Sequence, residues 1–199
     1  MNTISRALPQ RVIVTDDPLR ARMLSAHHLE YSTLVYEKED VLVFSGSYKD
    51  IPIALASTGF GDSAVLSFVR ELKGLGATEI VYIGGCVSTT DRHGLRTVVL
   101  AAGGGESMLE QAREAARMYE IPAMVRTVLP PDVVHPEEGC IVDSITGALY
   151  AQAQADAIEA LSILTVSENA KTSEKMEEHE RRSRFYAAAR LVFEMLALG

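Results

Sequence analysis

Short apolar, β-branched runs alternate along this chain with longer segments of helical periodicity, and this alternation constrains the fold more than any other feature. Strands of a parallel sheet covered on both faces have no polar side to show, so they read as unbroken apolar runs. Arg11 to Thr15, Glu79 to Ile83 (ending in Gly84-Gly85), Arg96 to Ala102, Pro122 to Val128 and Leu161 to Val166 have this character. After the first run Asp17-Pro18 opens a helix through about His28, because proline's missing N–H costs nothing in a first turn. Val41 to Tyr48 and Ile51 to Ser57 are separated only by Lys49 and Asp50, which predicts a hairpin and makes the sheet mixed. Ala64, Val65, Phe68, Val69 and Leu72 recur at helical spacing, and Gly74 and Gly76 bracket that helix's end. Further helices are expected from a Ser107 cap to about Tyr119, from Ile145 to about Ala157, and as one long terminal helix from Thr172 to Leu198. Pro130, Pro131 and Pro136 remove backbone donors and restrict their predecessors, so the segment between is a loop, the one flexible stretch expected.

With 199 residues the chain fits one domain over 1–199, and with no run near the ~18 apolar residues of a membrane span it is expected to be soluble. The first residues lack the apolar core of a secretory signal, so the cytoplasm is the expected compartment. Cys86 and Cys140 are the only cysteines and have no metal-ligand spacing, which predicts buried thiols and no metal. A net charge of -8 disfavours nucleic acid, whose backbone is bound by clustered Lys and Arg. The densest basic group, Arg181, Arg182 and Arg184, sits among Glu174, Glu177, Glu178 and Glu180 and reads as a solvated helix face.

Six short motifs occur in order: Asp17-Pro18-Leu19-Arg20-Ala21, Phe44-Ser45-Gly46-Ser47-Tyr48-Lys49, Gly59-Phe60-Gly61, Gly84-Gly85-Cys86, Leu95-Arg96-Thr97-Val98-Val99 and Leu164-Thr165-Val166-Ser167-Glu168. In that order and spacing, over most of the chain, they resemble the phosphate-dependent nucleoside phosphorylases, the family of purine nucleoside and uridine phosphorylases. The resemblance implies a three-layer α/β/α fold with a central mixed, partly barrel-like sheet. It also implies a homo-oligomer (dimer or trimer of dimers), a nucleoside-like small-molecule substrate and phosphate as co-substrate, with no other cofactor. Ligands of such sheets bind beyond the carboxyl ends of the strands, where the glycine motifs fall.

Mapped onto this sequence, the family's chemistry places Arg20 in the anion cradle, with Gly85 at the position of a cradle serine, and makes Gly61 and Gly84 substrate-binding residues of the glycine motifs. Asp143 and Ser144 fall at the sugar clamp, and Ser167 beside Glu168 at the base, with Glu168 as the general acid. The pattern departs from the family at several places. Asp16 stands where a glycine lets backbone approach phosphate, Tyr82 where an arginine is expected, Gly85 where a serine is expected, and Ser144-Ile145 where a Met-Glu pair holds ribose. No arginine occurs at Lys38-Glu39-Asp40, the place of a second cradle arginine. Each candidate also has a structural role open to it. Arg20 can pair with a carboxylate, the glycine pair can serve a tight turn, Asp143 can cap the following helix and Glu168 can be a solvated carboxylate. His93, His135 and the His27-His28 pair are expected at the surface. Gly103-Gly104-Gly105 lacks the spacing of a phosphate loop.

Three functions follow as expectations: cleavage or transfer of a purine or pyrimidine nucleoside's N-glycosidic bond, a catalytically silent relative that binds a small ligand or assembles, and a hydrolase that uses water in place of phosphate.

Overall fold

The centre of the sheet is a set of parallel strands. β1 (Arg11–Thr15) lies between β4 (Ile51–Ser57) and β5 (Glu79–Ser88), parallel to both, and β10 (Glu159–Asn169) continues parallel on the far side of β5. In this computed structural model residues 7–59, 62–132, 139–183 and 185–198 are described. Gly61, with Phe60, and His135 therefore lie outside the described residues. The hairpin expected at Lys49-Asp50 is present, with β3 (Val41–Tyr48) antiparallel to β4, and on the other flank β6 (Val98–Ala101) runs antiparallel to β10 and parallel to β7 (Ala123–Arg126). The sheet branches at β5, whose last residues Val87 and Ser88 pair with β9 (Ile141–Val142), itself paired to β8 (Val128–Leu129).

Both faces of the sheet are covered, as unbroken apolar strands require. On one face α1 (Pro18–His28), α3 (Glu106–Met118) and α6 (Tyr186–Leu196) bury Leu24, Met108, Ala112 and Leu191 against Ile13, Val81 and Ile163. On the other, α2 (Asp62–Gly74) and α4 (Ile145–Asp156) bury Phe68, Leu72, Leu149 and Ala153 against Val12, Ile80 and Leu164. This is the expected three-layer α/β/α arrangement around a mixed sheet. Because β1, β5 and β10 are parallel, their carboxyl ends bring Asp16, Gly85 and Ser167 to one edge.

Several local expectations are corrected. β5 does not stop at Ile83 but runs through Gly84-Gly85 to Ser88, so the glycine pair is strand, not turn. A further strand, β2 (Glu30–Lys38), pairs with β3; it is an almost wholly exposed edge with two register shifts and so shows no apolar pattern in sequence. The third helix starts one residue early, at Glu106, with Gly105 in the cap position and no side-chain cap from Ser107. The long terminal helix is broken: Glu174–Lys175 forms β11 against β10, α5 covers Glu178–Ser183, and α6 starts at Tyr186. Charged side chains without an apolar stripe leave Met176 the only buried residue of 174–182, whereas Phe185 and most of α6 are enclosed. His28 is not a free surface residue either, for its ring stacks on Phe193 at 4.4 Å. No helix among the described residues is long and apolar enough to cross a membrane.

Candidate active site

Where the parallel strands end, a cavity of about 660 Å³ opens between β1, β5, β10, the start of α4 and the short helix α5. That volume falls within the ~300–1,000 Å³ of small-molecule sites. Arg20, Gly85, Asp143, Ser144, Ser167 and Glu168 all line it, and so does Asp16.

The strand end of β10 explains how two successive side chains reach one cavity. Residues alternate faces along a regular strand. Here the pairing of β10 with β5 steps from Val166–Cys86 to Glu168–Val87, so Ser167 is the extra residue of a bulge, and bulges re-aim side chains. Ser167 and Glu168 consequently both face the cavity. Glu168 is held by Lys175 of β11, Nζ to Oε1 2.7 Å. Ser167 is buried, and its Oγ donates to the Cys86 carbonyl at 3.4 Å.

The two glycines of β5 have different tasks. A Cβ on Gly85 would stand 2.8 Å from Ser167 Oγ and 3.3 Å from Phe185 Cζ, so the absent side chain makes room for the serine at the cavity wall. Gly84 does not line the cavity. A Cβ there would run into the ring of Tyr82, which is fully buried, so Gly84 is a packing glycine beneath that tyrosine.

Arg20 is 3% exposed and already engaged. Its Nη1 donates to Thr15 Oγ1 at 2.7 Å and to Asp16 Oδ1 at 2.6 Å, with the Ile83 carbonyl at 3.5 Å. Its Nη2 donates to the Arg181 carbonyl of α5 at 2.8 Å, and the guanidinium lies 4.2 Å over the Phe185 ring. Nε is shut off from solvent with no hydrogen-bond partner among the described residues. Asp17 caps α1 by accepting from Leu19 N at 2.8 Å, and its other oxygen takes Arg182 Nε at 2.9 Å, so two ties bind α5 over the cavity.

Asp143 is the cap of α4. One carboxylate oxygen accepts from Thr146 N at 2.8 Å, Thr146 Oγ1 at 2.7 Å and Ile145 N at 3.2 Å. Burial pushes its carboxyl above the usual aspartate range, against those hydrogen bonds, and the charge of Asp16 adds to the rise. Burial likewise pushes the Cys86 thiol up, with Asp143 contributing, which makes that cysteine a poor nucleophile. The lining as a whole carries five carboxylates (Asp16, Asp17, Asp143, Glu168 and Glu178) against three arginines (Arg20, Arg181 and Arg182). No group of acidic, His and Cys residues among the described residues could hold a metal ion.

No family model matches the chain. Among characterised proteins, the DeoD-type purine nucleoside phosphorylase of Psychromonas ingrahamii is 26% identical over 93% of this chain and 92% of its own length. That of Bacillus subtilis is 26% identical over 88% of each. Of solved structures, purine nucleoside phosphorylase from Toxoplasma gondii in complex with immucillin-H matches all of this chain and 96% of its own, with a TM-score of 0.87 at 16% identity. Uridine phosphorylase from Vibrio fischeri ES114 matches all of this chain and 97% of its own, with a TM-score of 0.83 at 20% identity. This chain is nucleoside phosphorylase-like.

Sequence reasoning missed the part that α5 plays in such a site. Arg181 and Arg182 read as a solvated face, yet both line the cavity, with Phe185 behind them. The Asp17-to-Arg182 tie spans 165 positions, and nothing local in the sequence announces it. The available signals were Met176 and Phe185, large apolar residues in an otherwise charged stretch, and both are buried in the same core cluster.

Proposed function

We propose that this protein cleaves or transfers the N-glycosidic bond of a purine or pyrimidine nucleoside in the cavity at the ends of β1, β5 and β10, as a cytoplasmic homo-oligomer. One observation supports this most. In a nucleoside phosphorylase-like fold, the bulge at Ser167 turns Ser167 and Glu168 together into the same cavity as Gly85 and the Asp16–Arg20 pair. Breaking such a bond leaves positive charge on the sugar and negative charge on the departing base, and a site accelerates it by placing the opposite charges in advance. The excess of carboxylates suits a cationic sugar. Glu168 meets the base and, taking a proton from solvent as it leaves Lys175, passes it to the base's ring nitrogen, a contribution of typically ~10²–10⁴ in rate. Gly85 leaves room for Ser167 in the wall against which the base lies. Asp143, committed to the α4 cap, orients the wall rather than clamping a sugar.

The test is base release from a panel of purine and pyrimidine nucleosides, followed by chromatography, with Glu168→Gln alongside. The expected result is release that drops by ~10²-fold or more in the variant. No release from any nucleoside at high protein concentration would leave the silent, ligand-binding relative as the function.

A further inference from the structure

The floor of the cavity carries its own anion. An arginine that receives a free oxyanion must offer unengaged donors, in the fork geometry that matches two oxygens. Arg20 does not. Both donors of Nη1 go to Thr15 and Asp16, one of the two donors of Nη2 goes to the Arg181 carbonyl, and the unpartnered Nε is closed off from solvent, so at most the second donor of Nη2 stays open and no solvent-facing fork remains. The carboxylate of Asp16 sits at 2.6 Å from Nη1, where an oxygen of a bound anion would otherwise be. The backbone offers no substitute, because the space above Gly85 is filled by Ser167 and Phe185. The surrounding charge is unfavourable as well. Arg182 is paired with Asp17, and Arg181, exposed at the mouth, faces a lining that also contains Asp143, Glu168 and Glu178.

We propose that Asp16 is the built-in counter-anion of Arg20, so that the site excludes inorganic phosphate and hands the glycosyl group to water. This rests on the nucleoside reading above for its second half, whereas the exclusion of phosphate rests on Asp16 and Arg20 alone. Only Oδ1 of Asp16 is hydrogen-bonded among the described residues, which leaves Oδ2 as an acceptor for a water molecule. In the reaction the water oxygen bonds the anomeric carbon as the carbon–nitrogen bond breaks. The electron pair of the broken bond leaves with the base, which takes a proton from Glu168 or from solvent. The water's proton passes to Asp16 and then to solvent. The products are free base and free pentose.

The experiment has two arms on the full chain. In the first, inorganic phosphate alone is titrated calorimetrically into wild type, Asp16→Gly and Asp16→Asn. Wild type is expected to show no saturable binding and the variants to gain it, at least ~10-fold tighter once the like charge is gone. Asp16→Asn preserves the side-chain shape if the glycine variant fails to fold. Saturable phosphate binding by wild type, or no gain in either folded variant, overturns the counter-anion assignment. In the second arm, base release is measured with and without phosphate and the sugar product is identified. Equal release in both conditions with free pentose supports water as acceptor. Release that requires phosphate and yields a pentose 1-phosphate overturns it. No release in any condition refutes the nucleoside reading and the water step with it, while the first arm still decides whether phosphate is excluded.

Discussion

Arg20→Met strips the cation from the cavity floor while nearly keeping its apolar bulk. It strands the Asp16 carboxylate and removes the donors of Thr15 Oγ1 and the Arg181 carbonyl, the tie that holds α5 to β1. Breaking a buried pair by deleting one partner costs about 3–5 kcal/mol. Here the arginine side chain is 4% exposed but that of Asp16 is 25% exposed, so the stranded carboxylate is partly rehydrated. The cost should therefore be about 2–4 kcal/mol, and at ~2–4 °C per kcal/mol for a domain of this size the melting midpoint should fall by ~5–15 °C. Differential scanning calorimetry measures the shift. Adding Asp16→Asn to the Met variant should recover part of the loss, because it removes the unpaired charge. Arg20→Lys should resemble Met more than wild type, since one ammonium cannot reach the oxygens of Thr15, Asp16 and Arg181 together. A midpoint within ~2 °C of wild type for Arg20→Met would refute the assignment of Arg20 as a committed, buried strut.

Three further outcomes are expected. Gly85→Ala should destabilise by ~1–3 kcal/mol through overpacking against Ser167 and Phe185, and Ser167→Gly in the same chain should relieve most of that, as urea titration would show. Asp143→Ala should cost ~1–2 kcal/mol as a lost cap, with Asp143→Asn costing less at neutral pH. Because the folded-state value of Asp143 is raised, its contribution is largest at low pH and shrinks as pH climbs from the ordinary 3.8 through the raised value, so the Asn variant should flatten that decline in a stability-versus-pH series. His28 titrates in the opposite sense. Burial, with His27, lowers its value, so stability should fall as pH drops below the ordinary 6.5, and His28→Phe should remove that limb in thermal melts at graded pH.

Legibility of the fold in the sequence followed burial. β1, β4, β5 and β10 are enclosed on both faces and announce themselves as apolar runs, whereas β2 is an exposed edge and is silent. The terminal segment misled because charged residues are good helix formers and their local preference does not register that Phe185 is drawn beneath Arg20. At the site, Arg20, Gly85, Ser167 and Glu168 were legible as motif residues, but their environments were not. That Asp16 would answer Arg20 rather than merely replace a glycine depends on a helical turn placing the two at 2.6 Å. That Ser167 and Glu168 share a cavity depends on a bulge, which leaves no mark in composition. Arg181 and Arg182 came from a stretch whose charge pattern pointed to solvent.

The function proposed for this cavity requires that it take a nucleoside, and a crystal structure of the protein with a purine nucleoside tests that most directly. The expected density places the base beside Gly85, Ser167 and Glu168 and the sugar toward Asp16, with the Asp16–Arg20 pair intact and no phosphate required. A nucleoside bound elsewhere, or an empty cavity at saturating ligand, would contradict it.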